Sequence, residues 1–465
     1  MSKKVIIIGG GPGGYVAAIR AAQLGAETTL IERAEIGGVC LNVGCIPTKT
    51  LLRTAHEYHA LNIGAYAGIS VDKVKLDWKA LLGHKVSVVN KLKGGVESLL
   101  KANGVKIVRG KAVLQKDKSI LVDGKDKLTG DVIIIAVGTS PSAPSIPGLN
   151  NDGVIDSTGA LSLTDIPKSM VIWGVGIVAL EFASMYNAVG TKVTVIGRRP
   201  NILKECDSQI ADALKKAMQK EGINFLAKTT ITEVKKATKG LSITTESGND
   251  KKELNAEILL VATGRKVNSE NLGLDRLSIK QNGDVISVNE NFETNIPGIY
   301  AIGDCNGQAM LAHAASAQGV AAVEHALGHK AFYNKDVVPS CVYTSPEIGA
   351  VGLTEEQAKE ADIPYYVGSF PLAGNGKSLI EGYTDGFVKL IFEKEYDSLI
   401  GAHIIGPSAT ELIAELTLAM SMEATVDDII ATIHPHPTVN EAIMEAALDA
   451  KNRAIHWKSV STKNR

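Results

Sequence analysis

Two cysteines lie five positions apart near the start of the chain, within the segment GGVCLNVGCIPTK at residues 37–49. Two thiols at this spacing can close a small disulfide ring if the backbone bends sharply, and Asn42 and Gly44 favour such a bend. A metal site built on Cys40 and Cys45 would need a second ligand pair elsewhere, and the remaining cysteines do not supply one. The segment therefore favours a thiol–disulfide couple over a metal site.

The other three cysteines are scattered along the chain. They are Cys206, Cys305 and Cys341. We interpret each as a small buried apolar residue, because an isolated cysteine often has that role. The odd total of five also argues against a secreted disulfide framework.

The composition is that of a globular protein without a strong charge bias. The chain has 465 residues, of which 45% are hydrophobic and 21% charged, and 49 basic residues nearly balance 50 acidic ones. At roughly 150 residues per domain, this length predicts about three domains. From the charge balance we expect neither a nucleic-acid partner nor an anionic membrane surface as partner.

The N-terminal apolar run is too short for a signal peptide or a membrane helix. Residues 5–8 are wholly apolar, but residues 9–14 are GGGPGG and end the run. A signal peptide needs a longer apolar segment, and a membrane helix needs roughly 18 consecutive apolar residues. We therefore expect a cytoplasmic protein that does not enter a membrane.

The glycine-rich residues 9–14 lie between the elements of a βαβ unit. Residues 5–8 predict a buried parallel strand, residues 15–24 a helix, and residues 28–31 a second strand that is followed by Glu32. In the pattern G-x-G-x-x-G, the first glycine makes a tight turn and the second lets the backbone approach a pyrophosphate. The third lets helix and strand pack closely, and the acid bonds a ribose hydroxyl. The three glycines are Gly9, Gly11 and Gly14.

A second unit repeats this pattern later in the chain. A strand at residues 171–172 precedes a helix at residues 177–189 and a second strand at residues 192–196. The acid expected after that strand is missing, and Arg198 and Arg199 lie there instead. Guanidinium groups pair with phosphate oxygens, so we interpret the arginines as a site for a 2′-phosphate, the alternative being a solvated strand end. The fingerprint residues are Gly174, Gly176 and Ala179, and alanine is permitted at the third position.

The two units and the segments around them predict an α/β fold. It would contain two doubly wound, Rossmann-like nucleotide-binding domains and a C-terminal α+β domain. Residues 140–148 contain three prolines and predict a linker without regular structure. Residues 387–392 predict an alternating strand of the α+β domain. The expected domain boundaries are 1–147, 148–264, 265–336 and 337–465.

Residues 37–49 resemble the active-site motif of the flavoprotein pyridine-nucleotide disulfide oxidoreductases, in the form typical of the dihydrolipoamide dehydrogenases. The resemblance runs end to end, through both fingerprints, the Gly303-Asp304 motif and the ending HPHPTVNE at residues 434–441. It implies FAD on residues 1–147, completed by residues 265–336, and NAD or NADP on residues 148–264. Residues 337–465 would form a homodimer interface. The implied substrate is dihydrolipoamide on the lipoyl domains of a 2-oxo acid dehydrogenase or glycine-cleavage complex.

The resemblance also implies roles for individual residues. Cys40 would be the thiol that meets dihydrolipoamide, and Cys45 would lie against the flavin. Lys49 would lie near the flavin's reactive nitrogen and pair with Glu181. The cofactor-binding residues so implied are Gly9, Gly11, Gly14, Glu32, Lys49, Gly138, Gly174, Gly176, Ala179, Arg198, Arg199, Gly264, Gly303 and Asp304.

The C-terminal motif would supply the acid–base catalyst. The resemblance implies this role for His436, oriented by Glu441 and acting in the active site of the partner subunit. A histidine poised near neutral pH suits the chemistry, because it can take up the substrate's proton while a thiolate attacks. A carboxylate on the other ring nitrogen would hold the tautomer. We interpret His434 as structural.

Several positions depart from the family pattern. Trp173 and Val175 lie where small residues or glycine are usual, and we expect their bulk to disturb the approach of the strand to a pyrophosphate. Gly197 replaces an acid typical of the NAD-using members, and Val137 replaces a threonine. These departures favour NADP over NAD and leave the reaction class unchanged.

Two other functions stay open. A glutathione-reductase-like NADPH enzyme would also explain the arginines, although residues 40–42 and 47–49 favour a lipoamide enzyme. Mercuric reductase and the larger thioredoxin reductases carry a C-terminal thiol pair, whereas the last cysteine here is Cys341. A redox-sensing or interaction flavoprotein would not need both cysteines together with His436 and Glu441.

Overall fold

The computed structural model describes residues 2–64 and 66–458. Its first part alternates strands and helices and then adds a short antiparallel insertion. The strands are β1 (Lys4–Ile8), β2 (Glu27–Glu32), β3 (Lys106–Arg109), β4 (Ala112–Leu114), β5 (Ile120–Val122), β6 (Asp126–Leu128), β7 (Val132–Ile135) and β8 (Thr139–Ser142). The helices are α1 (Pro12–Gln23), α2 (Gly38–Val43), α3 (Cys45–Asn62) and α4 (Trp78–Ala102).

The middle of the chain repeats this order. Its strands are β9 (Val154–Ile155), β10 (Ser169–Trp173), β11 (Lys192–Ile196), β12 (Asn224–Leu226), β13 (Thr230–Lys236), β14 (Leu241–Ser247), β15 (Asp250–Ala256), β16 (Ile258–Val261), β17 (Gly264–Val267), β18 (Gln281–Asn282), β19 (Val285–Ile286) and β20 (Ile299–Ala301). Its helices are α5 (Ser157–Ala160), α6 (Ile177–Ala188), α7 (Ser208–Lys220) and α8 (Ala312–Ala326).

The C-terminal part is an antiparallel sheet with helices. Its strands are β21 (Ser340–Val342), β22 (Glu347–Gly352), β23 (Tyr365–Pro371), β24 (Phe387–Glu393) and β25 (Leu399–Gly406). Its helices are α9 (Glu355–Glu360), α10 (Gly376–Glu381), α11 (Ala409–Ser421), α12 (Val426–Ala431) and α13 (Glu441–Ala450). Short 3-10 turns are found at Asp275–Leu277, Gly303–Asn306 and Leu372–Gly374.

The two nucleotide-binding units share the order of four core strands and differ in the origin of the edge strand, which is β20 from after the second unit in one sheet and β9 from before β10 in the other. The first sheet has the strand order β20-β7-β1-β2-β3 and the second has the order β12-β11-β10-β16-β9, and all of these pairings are parallel. Each unit also carries a three-stranded antiparallel sheet, β4-β5-β6 in the first and β13-β14-β15 in the second. This architecture, together with the C-terminal α+β domain, confirms the predicted fold class. The exact domain boundaries stay predictions.

The central strands are apolar without interruption because both faces of each parallel sheet are covered. In β1, Val5 and Ile7 belong to one core cluster, whereas Ile6 and Ile8 belong to another on the opposite face. Such runs are typical of parallel strands buried between two layers. The strands therefore hold the loops at their carboxyl ends in a fixed arrangement, and those loops carry the candidate site.

Residues 140–148 are not a linker devoid of regular structure, so that prediction was wrong in part. Strand β8 pairs antiparallel with β17, with Thr139 opposite Val267 and Ser142 opposite Gly264. This two-stranded ribbon has a free edge, where Pro141 is tolerated because its missing N–H breaks no interior ladder. The ribbon brings together the chain segments that leave β7 and β16.

Strand β24 also differs from the expectation of alternating buried and exposed residues. Its residues 388–392 are all buried, because one face packs on helices of its own domain and the other on the second unit. Lys389 on this strand is 1% exposed, and its Nζ lies 2.7 Å from both Asp207 and Glu355. A lysine in a strand therefore does not mark a solvent face here, since two carboxylates neutralise it.

No helix among the described residues is long and apolar enough to cross a membrane.

Candidate active site

The two cysteines lie on either side of a bend between α2 and α3. Cys40 is in α2 and Cys45 is the first residue of α3, and they form a disulfide with their Cα atoms 4.7 Å apart. Gly44 joins the helices, and a Cβ there would lie 2.8 Å from the carbonyl oxygen of Val39. The bend therefore needs glycine because the preceding helical turn approaches so closely.

Asn42 stabilises this bend through hydrogen bonds. Its Nδ2 donates to the carbonyl oxygens of Ile36 at 3.0 Å and Gly38 at 2.9 Å. Gly37 and Gly38 have φ values of 94° and 58°, a left-handed conformation that favours glycine. The Asn42 side chain thus fastens α2 to the turn before it and holds Cys40 in position.

Lys49 lies one helical turn after Cys45 and is held by two other parts of the chain. Its Nζ is 2.7 Å from Oε2 of Glu181, which is buried on α6. Glu181 Oε1 accepts a hydrogen bond at 3.1 Å from the backbone N–H of Tyr343, and Lys49 Nζ lies 4.5 Å from the centre of the Tyr343 ring. The carboxylate and the aromatic face both attract the ammonium group, so its position is well determined.

A cavity of about 840 Å³ connects the disulfide with the glycine-rich loop of the first unit. This volume is in the range of cofactor sites in proteins. The predicted site residues that line it are Gly9, Gly11, Glu32, Cys40, Cys45, Lys49, Gly138, Glu181, Gly303 and Asp304.

The first fingerprint forms a cradle at one end of this cavity. A Cβ on Gly9 would overlap the carbonyl oxygen of Ala136, and a Cβ on Gly14 would overlap that of Gly9. Around Gly11, by contrast, the nearest heavy atom to such a Cβ is Gly38 Cα at 4.0 Å. Helix α1 begins after Gly11 without a side-chain cap, so the N–H groups of Gly13 and Gly14, which follow Pro12, are available to an anion in the space above the loop.

Glu32 holds the same loop with its carboxylate. Oε2 accepts a hydrogen bond from the N–H of Gly10 at 2.6 Å, and Oε1 accepts one from Ala34 at 2.7 Å. Each carboxylate oxygen keeps a second acceptor site, which a ribose hydroxyl can use. The cradle, the acid and the cavity together fit the dinucleotide FAD.

Sequence reasoning missed Thr139 and Arg265, which line the cavity and form a polar cluster with the predicted Asp304. Thr139 Oγ1 donates to Asp304 Oδ2 at 2.6 Å, and Arg265 Nε donates to Thr139 Oγ1 at 2.6 Å. Burial lowers the pKa of the Arg265 guanidinium, and the Asp304 carboxylate opposes that shift. The pairing of Thr139 with Val267 across the β8–β17 ribbon brings these residues together. The available signal was the similarity of AVGT at residues 136–139 to ATGR at residues 262–265, each directly after a buried strand.

The remaining cysteines differ chemically from the disulfide pair. Burial raises the pKa of Cys341 to about 11, and that of Cys206 and of Cys305 to about 12. All three therefore carry their protons at neutral pH and are poor nucleophiles. Cys305 is fully buried, as predicted, whereas Cys206 and Cys341 are only partly buried.

His436 and Glu441 contact each other but do not line the cavity of their own chain. Nδ1 of His436 lies 2.9 Å from Glu441 Oε1, and the ring is 78% exposed. Although burial opposes ionisation, hydrogen bonds from Thr438 and His436 lower the pKa of the Glu441 carboxyl. The bond to Nδ1 leaves Nε2 as the ring nitrogen available to an external reactant.

His434 has a different environment although it is only two residues away. Its Nε2 lies 2.8 Å from Glu415 Oε1, and its Nδ1 lies 2.9 Å from the carbonyl oxygen of Thr432. Hydrogen bonding to Glu415 raises the pKa of His434. Both ring nitrogens are engaged, which favours the structural interpretation.

The second fingerprint repeats the cradle of the first one. Gly174 has a φ of 145°, and a Cβ there would overlap the carbonyl oxygen of Ala262. A Cβ on Gly9 would overlap the carbonyl oxygen of Ala136 in the same way. A Cβ on Gly176 would meet nothing within 4 Å, and α6 begins after this residue without a side-chain cap. The backbone of this unit therefore also suits a pyrophosphate.

The residues expected to affect nucleotide binding in the second unit lie in three different environments. Trp173 is buried in the core between β10 and the sheet β13-β14-β15, so the expectation that its bulk would disturb the pyrophosphate approach was wrong. Arg198 and Arg199 are exposed directly after β11. Gly264 begins β17 and is exposed outside the large cavity.

Comparison with known proteins agrees with this geometry. Residues 3–319 match the family model described as pyridine nucleotide-disulphide oxidoreductase, and residues 338–447 match the dimerisation domain of that family. The chain therefore belongs to the pyridine nucleotide-disulphide oxidoreductases, a family that uses FAD and NAD(P). The second match supports a homodimer.

Individual relatives cover nearly the whole chain. A dihydrolipoyl dehydrogenase of Thermus scotoductus is 43% identical, with 97% of this chain and 98% of the relative covered. A mitochondrial dihydrolipoyl dehydrogenase of Pisum sativum is 41% identical over 97% of this chain and 92% of its own length. A leghemoglobin reductase of Glycine max is also 41% identical, over 98% and 89%.

Solved structures show the same architecture. The crystal structure of LpdA from Mycobacterium tuberculosis matches with a TM-score of 0.89 at 25% identity, covering 96% of this chain and 99% of that one. The HOCl-induced flavoprotein disulfide reductase RclA from Escherichia coli matches with a TM-score of 0.85 at 26% identity and the same coverage.

Proposed function

We propose that this chain is a dihydrolipoyl dehydrogenase that oxidises protein-bound dihydrolipoamide and reduces NAD(P)⁺. The observation that carries the proposal is that one cavity contains the Cys40–Cys45 disulfide, the Lys49–Glu181 pair and the dinucleotide cradle. The choice of dihydrolipoamide as substrate is supported by relatives named dihydrolipoyl dehydrogenase, which are 41% and 43% identical over nearly the full length. Lipoyl domains of a 2-oxo acid dehydrogenase or glycine-cleavage complex would present the substrate.

The disulfide exchanges with the substrate in two steps. A substrate thiolate attacks Cys40 Sγ, the Cys40–Cys45 bond breaks, and Cys45 leaves as a thiolate. Cys45 is the first residue of the 18-residue helix α3, and the positive end of the helix dipole stabilises that thiolate. The second substrate thiol then displaces Cys40, which yields lipoamide and two reduced cysteines.

FAD, when bound, supplies two-electron transfer from the reduced cysteines to the nicotinamide nucleotide. Gly9, Gly11 and the start of α1 would hold its pyrophosphate, Glu32 its ribose, and Asp304 its ribityl–phosphate part. Lys49 would lie beside the isoalloxazine ring, where its ammonium group stabilises negative charge.

His436 of the partner subunit would take up the proton of the substrate thiol. In one chain His436 is exposed and does not line the cavity that holds the disulfide, which supports a site shared between two subunits. Its Nδ1 faces Glu441, so Nε2 is free to accept the proton while the carboxylate supports the imidazolium.

For the nucleotide, we propose that NADP(H) is used at least as well as NAD(H). Gly197 provides no carboxylate to repel a 2′-phosphate, and Arg198 and Arg199 lie exposed beside it. Charge-assisted contacts to a phosphate would then favour NADP(H).

The test combines substrate choice with subunit mixing. We expect turnover of dihydrolipoamide and little reduction of glutathione disulfide when each is assayed with both nucleotides. Inactive Cys40→Ser and His436→Ala protomers should recover activity on subunit exchange, because some mixed dimers contain one intact site. The protein should be yellow, and Cys45→Ser should remove the long-wavelength absorbance of a thiolate lying beside a flavin. Turnover of glutathione disulfide alone, or no recovery despite demonstrated exchange, would contradict the proposal.

A further inference from the structure

Val175 and Gly197 are in direct contact at the carboxyl end of the second parallel sheet. Val175 is the middle residue between Gly174 and Gly176, and Gly197 follows β11. A Cβ on Gly197 would overlap Val175 Cγ1 and lie 3.1 Å from Cγ2 and 3.4 Å from Cβ. Valine branches at Cβ and has few rotamers, so its methyl groups cannot withdraw freely. The present position of Val175 and any side chain at residue 197 therefore exclude each other.

Hydrogen bonds hold both backbones in place. The carbonyl oxygen of Val175 accepts a hydrogen bond from Leu203 at 3.0 Å. The N–H of Gly197 donates to Leu226 at 3.1 Å, and its carbonyl oxygen accepts from Thr229 at 2.9 Å. The two residues are thus not loose loop positions that could separate to admit a side chain.

The first unit has the reciprocal arrangement. The strand register pairs Ile8 with Ile31 in the first unit and Trp173 with Ile196 in the second, so Glu32 corresponds to Gly197. The middle fingerprint residue is Gly10 in the first unit, and its N–H donates to Glu32 at 2.6 Å. In the first unit, Gly10 in the loop leaves room for the Glu32 side chain. In the second unit, Val175 in the loop occupies the space that such a side chain would need.

We propose that Val175, paired with Gly197, determines the nucleotide selectivity of the second unit. The valine fills the volume from which a carboxylate would bind the ribose hydroxyls and repel a 2′-phosphate. The charged side chains next along the chain are those of Arg198 and Arg199, which are exposed. The preferred ligands are therefore adenosine nucleotides that carry a 2′-phosphate. This inference rests on the proposed use of NAD(P) and adds the residue that decides between the two.

The first experiment tests the steric exclusion in the FAD-loaded dimer. Gly197→Ala alone should lower the melting temperature, because the new Cβ overlaps Val175. When Gly197→Ala is added to Val175→Gly, the melting temperature should fall much less than when Gly197→Ala is added to the wild type. If Gly197→Ala lowers the melting temperature equally in the wild type and in Val175→Gly, the proposed steric exclusion between Val175 and a side chain at residue 197 is wrong.

The second experiment measures binding of 5′-AMP and adenosine 2′,5′-bisphosphate by calorimetry. The wild type should prefer the bisphosphate, and Val175→Gly/Gly197→Glu should shift that preference towards 5′-AMP by about tenfold or more. Gly197→Glu alone should either fail to fold or keep the wild-type preference. An equal shift in Gly197→Glu alone, or no shift in the folded double variant, would overturn the proposal.

Failure of the proposed activity would be recognised separately. Reduction of the wild-type flavin by dihydrolipoamide under anaerobic conditions needs no nicotinamide nucleotide. If that reduction does not occur, the proposed substrate is wrong, whereas the binding preference of the second unit is still measured on the same protein.

Discussion

The two nucleotide-binding units share a core strand order and a glycine-rich loop, and they differ in the side chains beside that loop. The strand order, the three-stranded insertion and the contact of the first glycine with a strand-end carbonyl occur in both. In the first unit the loop is linked to Glu32, whereas in the second Val175 covers Gly197. The shape of the pyrophosphate cradle is therefore a property of the backbone, while we propose that the choice of nucleotide depends on one or two side chains beside it.

The third fingerprint position differs as well. A Cβ on Gly14 would overlap the carbonyl oxygen of Gly9, whereas the second unit accommodates a buried Ala179 at the corresponding place. Helix α1 therefore packs more closely on its loop than α6 does. At the third fingerprint position, the first unit therefore has no room for a methyl group, whereas the second unit accommodates one.

The largest expected effect is that of Gly14→Ala. Because the methyl group would overlap backbone rather than a mobile side chain, we expect a loss of stability of about 3 kcal/mol or more and loss of bound flavin. Flavin absorbance per protein and the melting temperature measure both effects. Ala179→Gly is the matched control and should cost only about 1 kcal/mol, the usual helix penalty of glycine. If Gly14→Ala binds as much flavin as the wild type, the inferred closer packing of α1 on its loop is wrong.

A smaller effect is expected for Glu32→Gln. Both carboxylate oxygens accept backbone hydrogen bonds, so the amide group of glutamine would face one N–H with another donor. We expect a loss of about 2 kcal/mol in the free energy of unfolding, measured by urea denaturation. Glu35→Gln, three residues further on in the loop after β2, removes the same charge from an exposed side chain and should change stability by less than about 0.5 kcal/mol. Equal losses in both variants would show that charge alone, and not the bond to the loop, matters.

The smallest expected effect is that of Arg198→Ala/Arg199→Ala. We expect kcat/KM for NADP(H) to fall roughly tenfold while that for NAD(H) changes little, because only NADP(H) carries the phosphate. Lys192→Ala/Lys204→Ala removes two exposed positive charges elsewhere in the same unit and serves as the control for general electrostatic attraction. A strong NAD preference in the wild type that the arginine variant leaves unaltered would contradict this view of the second unit.

Much of the fold could be predicted from local patterns. The buried strands, the helices after each glycine-rich loop and the bend at Gly44 depend on neighbouring residues, and the structure has them within a few positions of the predicted ones. The cysteine pair was recognisable for the same reason, since five positions of chain are enough to bring two sulfurs together.

Other features depend on residues that are far apart in the chain. The contact of Arg265 with Thr139 arises from the β8–β17 ribbon, and the burial of Lys389 depends on carboxylates at residues 207 and 355. Neither short-range periodicity nor composition reports such pairings, because a strand's face or partner is determined by what packs against it.

The sequence by itself determined the two cradles, the disulfide pair and the absence of an acid after β11. Only the tertiary structure decided that Trp173 lies in the core and that Val175 occupies the space beside Gly197. Both residues are bulky and are separated by a single glycine, so composition treats them alike. The pleat of β10 directs the first towards the antiparallel sheet, and the turn at Gly174 directs the second towards the end of β11, where it excludes a carboxylate by contact.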